Sequence, residues 1–261
     1  MWLCILVLSF FYYHGNAAIP VLALTDVEIK EVAQKMRDAD DERPKFCEFY
    51  VDYQRHFDGG ESDYAEKSLF KWIRPSVLNW PSFKALLDLV PLFNPQTGIA
   101  EVNSPDKQKK QRAFITAVFN SGPFKQLIDV LRKKNHPFAK TVLNQTMHDL
   151  WFGLFSRAKG RLDSSAFEHV FIGEAKNGEV SGMHNWAVIN KFENDPKSTF
   201  NYRGFIIKRA TLIDGCPVNV QSYDLSQNGK DFIGTVYPEP GPSAPTCMAN
   251  FKQRATVSKQ G

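Results

Sequence analysis

The stretch Phe167-Glu168-His169-Val170-Phe171-Ile172, followed across Asn177-Gly178 by Gly182-Met183-His184-Asn185-Trp186, decides the fold of this chain. Apolar residues alternate around His169, and alternation predicts a strand with Phe167, His169 and Phe171 on one face. Lys176-Asn177-Gly178 is a tight-turn signal that folds the next segment back, bringing His169 and His184 into one region. Further strands are predicted over Asn185 to Asn190, Gly204 to Lys208, Val218 to Asp224 and Phe232 to Tyr237. They are separated by Asn194-Asp195-Pro196, Asp214-Gly215 and Asn228-Gly229. Such short connections imply antiparallel pairing.

Upstream the texture is helical. Thr25 with Glu28 forms a capping-box pattern, and Val27, Val32 and Met36 follow at helical spacing. Met147, Leu150, Trp151, Leu154 and Phe155 mark an amphipathic stripe, and Leu127, Ile128 and Leu131 another after Ser121-Gly122-Pro123. The mixed run Arg37 to Arg43 and the basic run Lys107 to Arg112 read as solvated polar connections. The expected fold class is α+β, with an N-terminal helical subdomain packed on a mostly antiparallel β-sheet catalytic subdomain. The expected boundaries are 1–23, 24–160, 161–240 and a flexible tail, 241–261.

With 261 residues, 43% hydrophobic and 23% charged, the chain has the composition of one globular unit rather than a disordered one. A net charge of +4 permits an anionic partner without requiring it. Trp2 to Tyr13 is apolar but shorter than a bilayer-spanning helix, and small residues follow, so 1–23 reads as a secretory signal peptide. No later segment is long and apolar enough to cross a membrane. The expected location is outside the cell or in the endomembrane lumen, with no membrane partner. Cys47, Cys216 and Cys247 remain after Cys4 leaves with the signal, which allows one disulfide of undetermined pairing. Asn144-Gln145-Thr146 is a glycosylation sequon.

Imidazoles titrate near neutrality, so His169 and His184 can share general base and general acid work. Two other readings stand at the level of residues alone. The two histidines are unrelated members of a hairpin, or they bind a metal with Glu174; alternation turns Glu168 away from His169. His56, His136 and His148 lack titratable neighbours in a recognisable arrangement and read as surface or satisfied core histidines.

The block from Phe167 to Glu174, then Gly178 and Gly182-Met183-His184-Asn185-Trp186, resembles the twin-histidine block of the poly(U)-specific endoribonuclease (EndoU) family. Asp149-Leu150-Trp151-Phe152, Thr97-Gly98-Ile99-Ala100-Glu101-Val102, Gly215-Cys216-Pro217-Val218, Ser222-Tyr223-Asp224 and Asn228-Gly229-Lys230 are similar to other parts of that family. The resemblance implies a monomer that cuts single-stranded, uridine-rich RNA and leaves a 2′,3′-cyclic phosphate. It implies His169 and His184 as the acid–base couple, Tyr223 with its neighbour Ser222 as substrate contacts, and a divalent cofactor, manganese (Mn2+) or calcium (Ca2+). The family also carries a catalytic lysine between the segments resembling Asn201 to Phe205 and Asp214 to Pro217. Only Ile206 to Ile213 separates them here, which implies an internal deletion; Lys208 and Lys230 read as surface lysines. The alternative implied is a catalytically impaired relative that binds RNA.

Overall fold

The computed structural model describes residues 24–136, 139, 143–158, 160–205 and 218–240. The expected signal peptide, the tail from 241, Cys216, Cys247 and the segment 206–217 with Lys208 lie outside them. Helix α1 (Asp26–Asp38) starts at the anticipated capping box, with the Thr25 and Glu28 side chains each bonded to the other's backbone N–H. Val32 and Met36 are buried on its inner face, whereas Val27 is exposed.

A ribbon of β1 (Phe49–Val51) and β2 (Phe70–Ile73) follows, then the short α2 (Pro75–Leu78) and α3 (Pro81–Leu89). Helix α4 (Pro105–Asn120) occupies the sequence expected to be a polar connection: Ser104 caps it and Pro105 takes its first position. Helices α5 (Gly122–Lys133) and α6 (Leu143–Phe152) complete the helical half. The stripe on α6 ends early, because Leu154–Phe155 forms strand β3 against β4 (Ser164–Ser165).

The histidine block departs from the expected strands. Glu168–Ile172 is one wide helical turn, all five residues buried, closed by a bond from the Gly173 N–H to the Glu168 carbonyl at 2.8 Å. Residues enclosed on every side show no alternation of exposure, so the apolar pattern did not separate helix from strand. Asn185–Asn190 is likewise not a strand: α7 (Trp186–Glu193) starts there, with the Asn185 side chain accepting from the Ala187 and Val188 N–H groups.

Between them the turn forms where anticipated, but it joins shorter strands, β5 (Glu174–Lys176) and β6 (Glu179–Ser181), with Asn177 and Gly178 both at positive φ. The long ribbon of β7 (Val218–Gln227) and β8 (Lys230–Pro240) turns at Asn228-Gly229 as anticipated. The described strands pair antiparallel in four two-stranded ribbons rather than in one broad sheet. One apolar core joins the halves: Met36, Leu127, Trp151, Phe167, Phe171, Ile233 and Val236 belong to the same buried cluster. No helix among the described residues is long and apolar enough to cross a membrane.

Candidate active site

The wide turn and the segment after β6 are locked together through the backbone. The Met183 N–H donates to the His169 carbonyl (3.0 Å), and the His184 N–H donates to the Val170 carbonyl (2.7 Å). Gly182 makes this crossing possible: its φ is +77°, and a Cβ there would sit 1.9 Å from the His169 carbonyl oxygen. The two imidazoles consequently face each other with ring centres 6.4 Å apart and planes at 77°.

His169 is held by charge. Its Nδ1 lies 2.7 Å from Glu174 Oε2, and both side chains are nearly enclosed. With Nδ1 donating to the carboxylate, the ring is fixed in one tautomer and orientation, and Nε2 is left for a reacting group. Glu174 also accepts from the Ser164 hydroxyl and pairs with Arg157 Nε at 2.8 Å. Arg157 continues outward, donating from Nη2 to the Gly234 carbonyl of β8 at 2.8 Å, while its own backbone N–H donates to Asp163.

His184 is flanked by rings and a hydroxyl and is largely withdrawn from solvent. Burial, with a smaller contribution from the charge of His169, pulls its imidazole down to about 4, so the ring is neutral at neutral pH. The Tyr237 ring lies 5.1 Å away and Thr235 Oγ1 3.5 Å from its Nε2. Tyr223 stacks on Tyr237 at 6.4 Å and is 54% exposed, so a row of rings runs from the imidazoles to the surface.

The structure thus brings His169, His184 and Tyr223 to one place. Ser222 lies on the opposite face of the ribbon, paired with the buried Val236. Lys230 opens β8 at the hairpin turn opposite Gln227, several residues along the strand from Thr235 and Tyr237. Sequence reasoning missed Arg157, Thr235 and Tyr237; alternation along β8 puts the last two on one face, which was the available signal. Glu174, weighed as a metal ligand, is instead a hydrogen-bond partner of His169.

Glu168 points away from the pair into a second buried polar group. Neither carboxylate oxygen has a hydrogen-bond partner among the described residues, and burial, reinforced by the charge of Glu101, pushes its carboxyl up to about 9. Lys107, expected in solvent, is 2% exposed; it pairs with Glu101 and sits over the Phe93 ring. Among the described residues no three His, Cys, Asp or Glu side chains converge to hold a metal ion. Glu174, the carboxylate beside the pair, is already paired with Arg157, and the chemistry below is derived from the chain's own residues without a metal.

A family model described as Endoribonuclease XendoU matches residues 28–215. The chain is 32% identical over 187 residues to the uridylate-specific endoribonuclease of Paralichthys olivaceus, covering 69% of this chain and 47% of that protein. It is 30% identical over 168 residues to the Homo sapiens protein of that name, covering 63% and 41% respectively. It is 29% identical over 195 residues to poly(U)-specific endoribonuclease-A of Xenopus laevis, covering 70% and 65%. The chain spans about half the length of the first of these relatives. The solved structure of XendoU, described as a splicing independent snoRNA processing endoribonuclease, has a similar fold, with a TM-score of 0.59 at 22% identity over 84% of this chain and 99% of that one.

Proposed function

The chain belongs to the XendoU endoribonuclease family, and from that premise we propose that it cleaves single-stranded RNA at uridylates using His169 and His184. The observation that carries the proposal is the pair itself: two imidazoles 6.4 Å apart in unlike surroundings. Neutral His184 is the general base. It takes the proton of a ribose 2′-hydroxyl as that oxygen attacks the adjacent phosphorus. His169, entering the cycle protonated and oriented by Glu174, gives a proton to the departing 5′ oxygen as the P–O5′ bond breaks. The products are a 2′,3′-cyclic phosphate and a 5′-hydroxyl, and the proton returns between the two rings through solvent. Tyr223, exposed at the end of the ring row, offers a face on which uracil or its sugar stacks.

A second reading is favoured by one observation. Arg157, the guanidinium tied to this shell, is committed to Glu174 and Gly234, so it does not stabilise charge developing on the phosphate. On that reading the protein holds uridine-rich RNA without cutting it. Incubation of the purified chain with labelled oligo(U), with and without manganese, separates the two. Product that disappears in His184→Ala supports cleavage; salt-sensitive retention without product supports binding alone. Dependence on manganese or calcium, a monomeric state and export with removal of 1–23 belong to the same proposal. So does one disulfide of undetermined pairing among Cys47, Cys216 and Cys247; Cys47 is free and exposed in the structure.

A further inference from the structure

The ribbon of β1 and β2 carries two large rings on the face away from the core. Tyr50 and Trp72 are direct cross-strand partners, so both side chains rise on the same side, and they are 48% and 45% exposed. The opposite side of the ribbon is fully used. Phe49 and Phe70 pack on Trp186 with ring centres 6.4 and 5.9 Å away, and Phe83 adds a third contact at 5.1 Å. At the other end of α7, Glu193 accepts from the Leu69 and Phe70 N–H groups. The ribbon is therefore fastened at two points to the helix that begins directly after His184 and Asn185. Its outward rings are held rigidly relative to the candidate active site.

Charge surrounds the two rings. The register slips between Tyr50 and Val51, which makes Lys71 the extra residue of a bulge and aims its ammonium over the Tyr50 ring at 5.5 Å. Lys67 precedes the strand and Arg74 follows it, both exposed; Arg74 makes one ion pair, to Glu48 at 3.7 Å. Rigid aromatic faces interleaved with cations are what a single-stranded nucleic acid requires, because bases stack on the rings while phosphates meet the charges. Two half-exposed rings fall far short of the roughly 800 Å² per partner of a stable protein interface, but match the size of one or two nucleobases.

We propose that the Tyr50–Trp72 face is a second RNA-contact surface, taking bases of the same single-stranded substrate outside the scissile site, with Lys71 beside it on the phosphates. This rests on the RNA-cleaving reading above and extends it. The test compares wild type with Tyr50→Ala/Trp72→Ala on a long oligo(U) and on the dinucleotide UpU. The double variant is expected to bind long oligo(U) at least about tenfold more weakly and to show a raised KM on it. Its kcat and its cleavage of UpU should not change. Lys71→Ala should lower the salt dependence of binding by about one charge. Quenching of tryptophan emission by oligo(U), lost in Trp72→Phe, reads the same contact should the double variant fold poorly. Unchanged affinity in a folded double variant overturns the proposal, as does a wild-type dimer that the double variant dissociates. Should wild type bind but never cut while the double variant loses affinity, the second surface stands and the nuclease reading falls.

Discussion

His169 and His184 share one small space, yet the structure holds them by opposite means. Around His169 the polar groups are many and interlocked: Glu174 receives the imidazole, Arg157 neutralises Glu174, Ser164 fills a remaining acceptor position, and Arg157 reaches on to the β8 backbone. Around His184 the neighbours are rings and one distant hydroxyl, and burial, helped by the charge of His169, keeps the imidazole uncharged. The difference teaches how two chemically identical side chains acquire different work. A carboxylate partner orients one ring, and desolvation makes the other a base that stays unprotonated well below neutrality.

The largest expected effect comes from removing either ring. His169→Ala and His184→Ala should each lower kcat on oligo(U) by about 10²- to 10⁴-fold, and the double variant should be little worse than either. Additive losses would show that the two act independently. Gly182→Ala attacks the crossing that brings the rings together. A side chain at φ +77° against the His169 carbonyl should cost about 3 kcal/mol or more, read as loss of the cooperative transition in urea.

Arg157→Met strikes the ionic side of the comparison alone. It strands the enclosed Glu174 carboxylate and should cost about 2 to 3 kcal/mol, below the range for a fully buried pair because the Arg157 side chain is 28% exposed. Equal destabilisation by Tyr237→Leu would erase the contrast between the two sides. Glu168→Gln gives the smallest effect and is seen against pH. The Glu168 carboxyl is raised to about 9 in the folded chain, so folding takes up a proton between the ordinary glutamate range and that value. Stability contributed at this position falls as pH rises across that window. The glutamine variant should melt at nearly the wild-type temperature near pH 5 and above it near pH 8, checked by thermal denaturation at the two pH values.

Much of this was legible where the determinants are local. The Thr25 capping box and the Asn177-Gly178 and Asn228-Gly229 turns act within a few residues, and each forms as its sequence predicts. The histidine pair was legible as a pair, but its scaffold was not. Phe167 to Ile172 is buried all round, so its apolar residues look alike in a strand or a turn of helix. Asn185 to Asn190 was misread because the Asn185 cap, a helix-start signal, was outweighed by a β-rich run in Trp186-Ala187-Val188-Ile189. Lys107 was read as solvated because its basic run gave no sign that Glu101 and the Phe93 ring, from the segment before the helix, close over it. Arg157 carried no signal either; its guanidinium lies over the neighbouring Phe155 ring and meets Glu174 and the Gly234 carbonyl, which are distant in sequence.

The division of labour between the two imidazoles is tested most directly by a pH titration of the histidine ring signals by NMR. The account predicts that His184 stays neutral through the ordinary histidine range and protonates only near pH 4. A His184 that titrates near pH 6.5, as an exposed imidazole does, would contradict it.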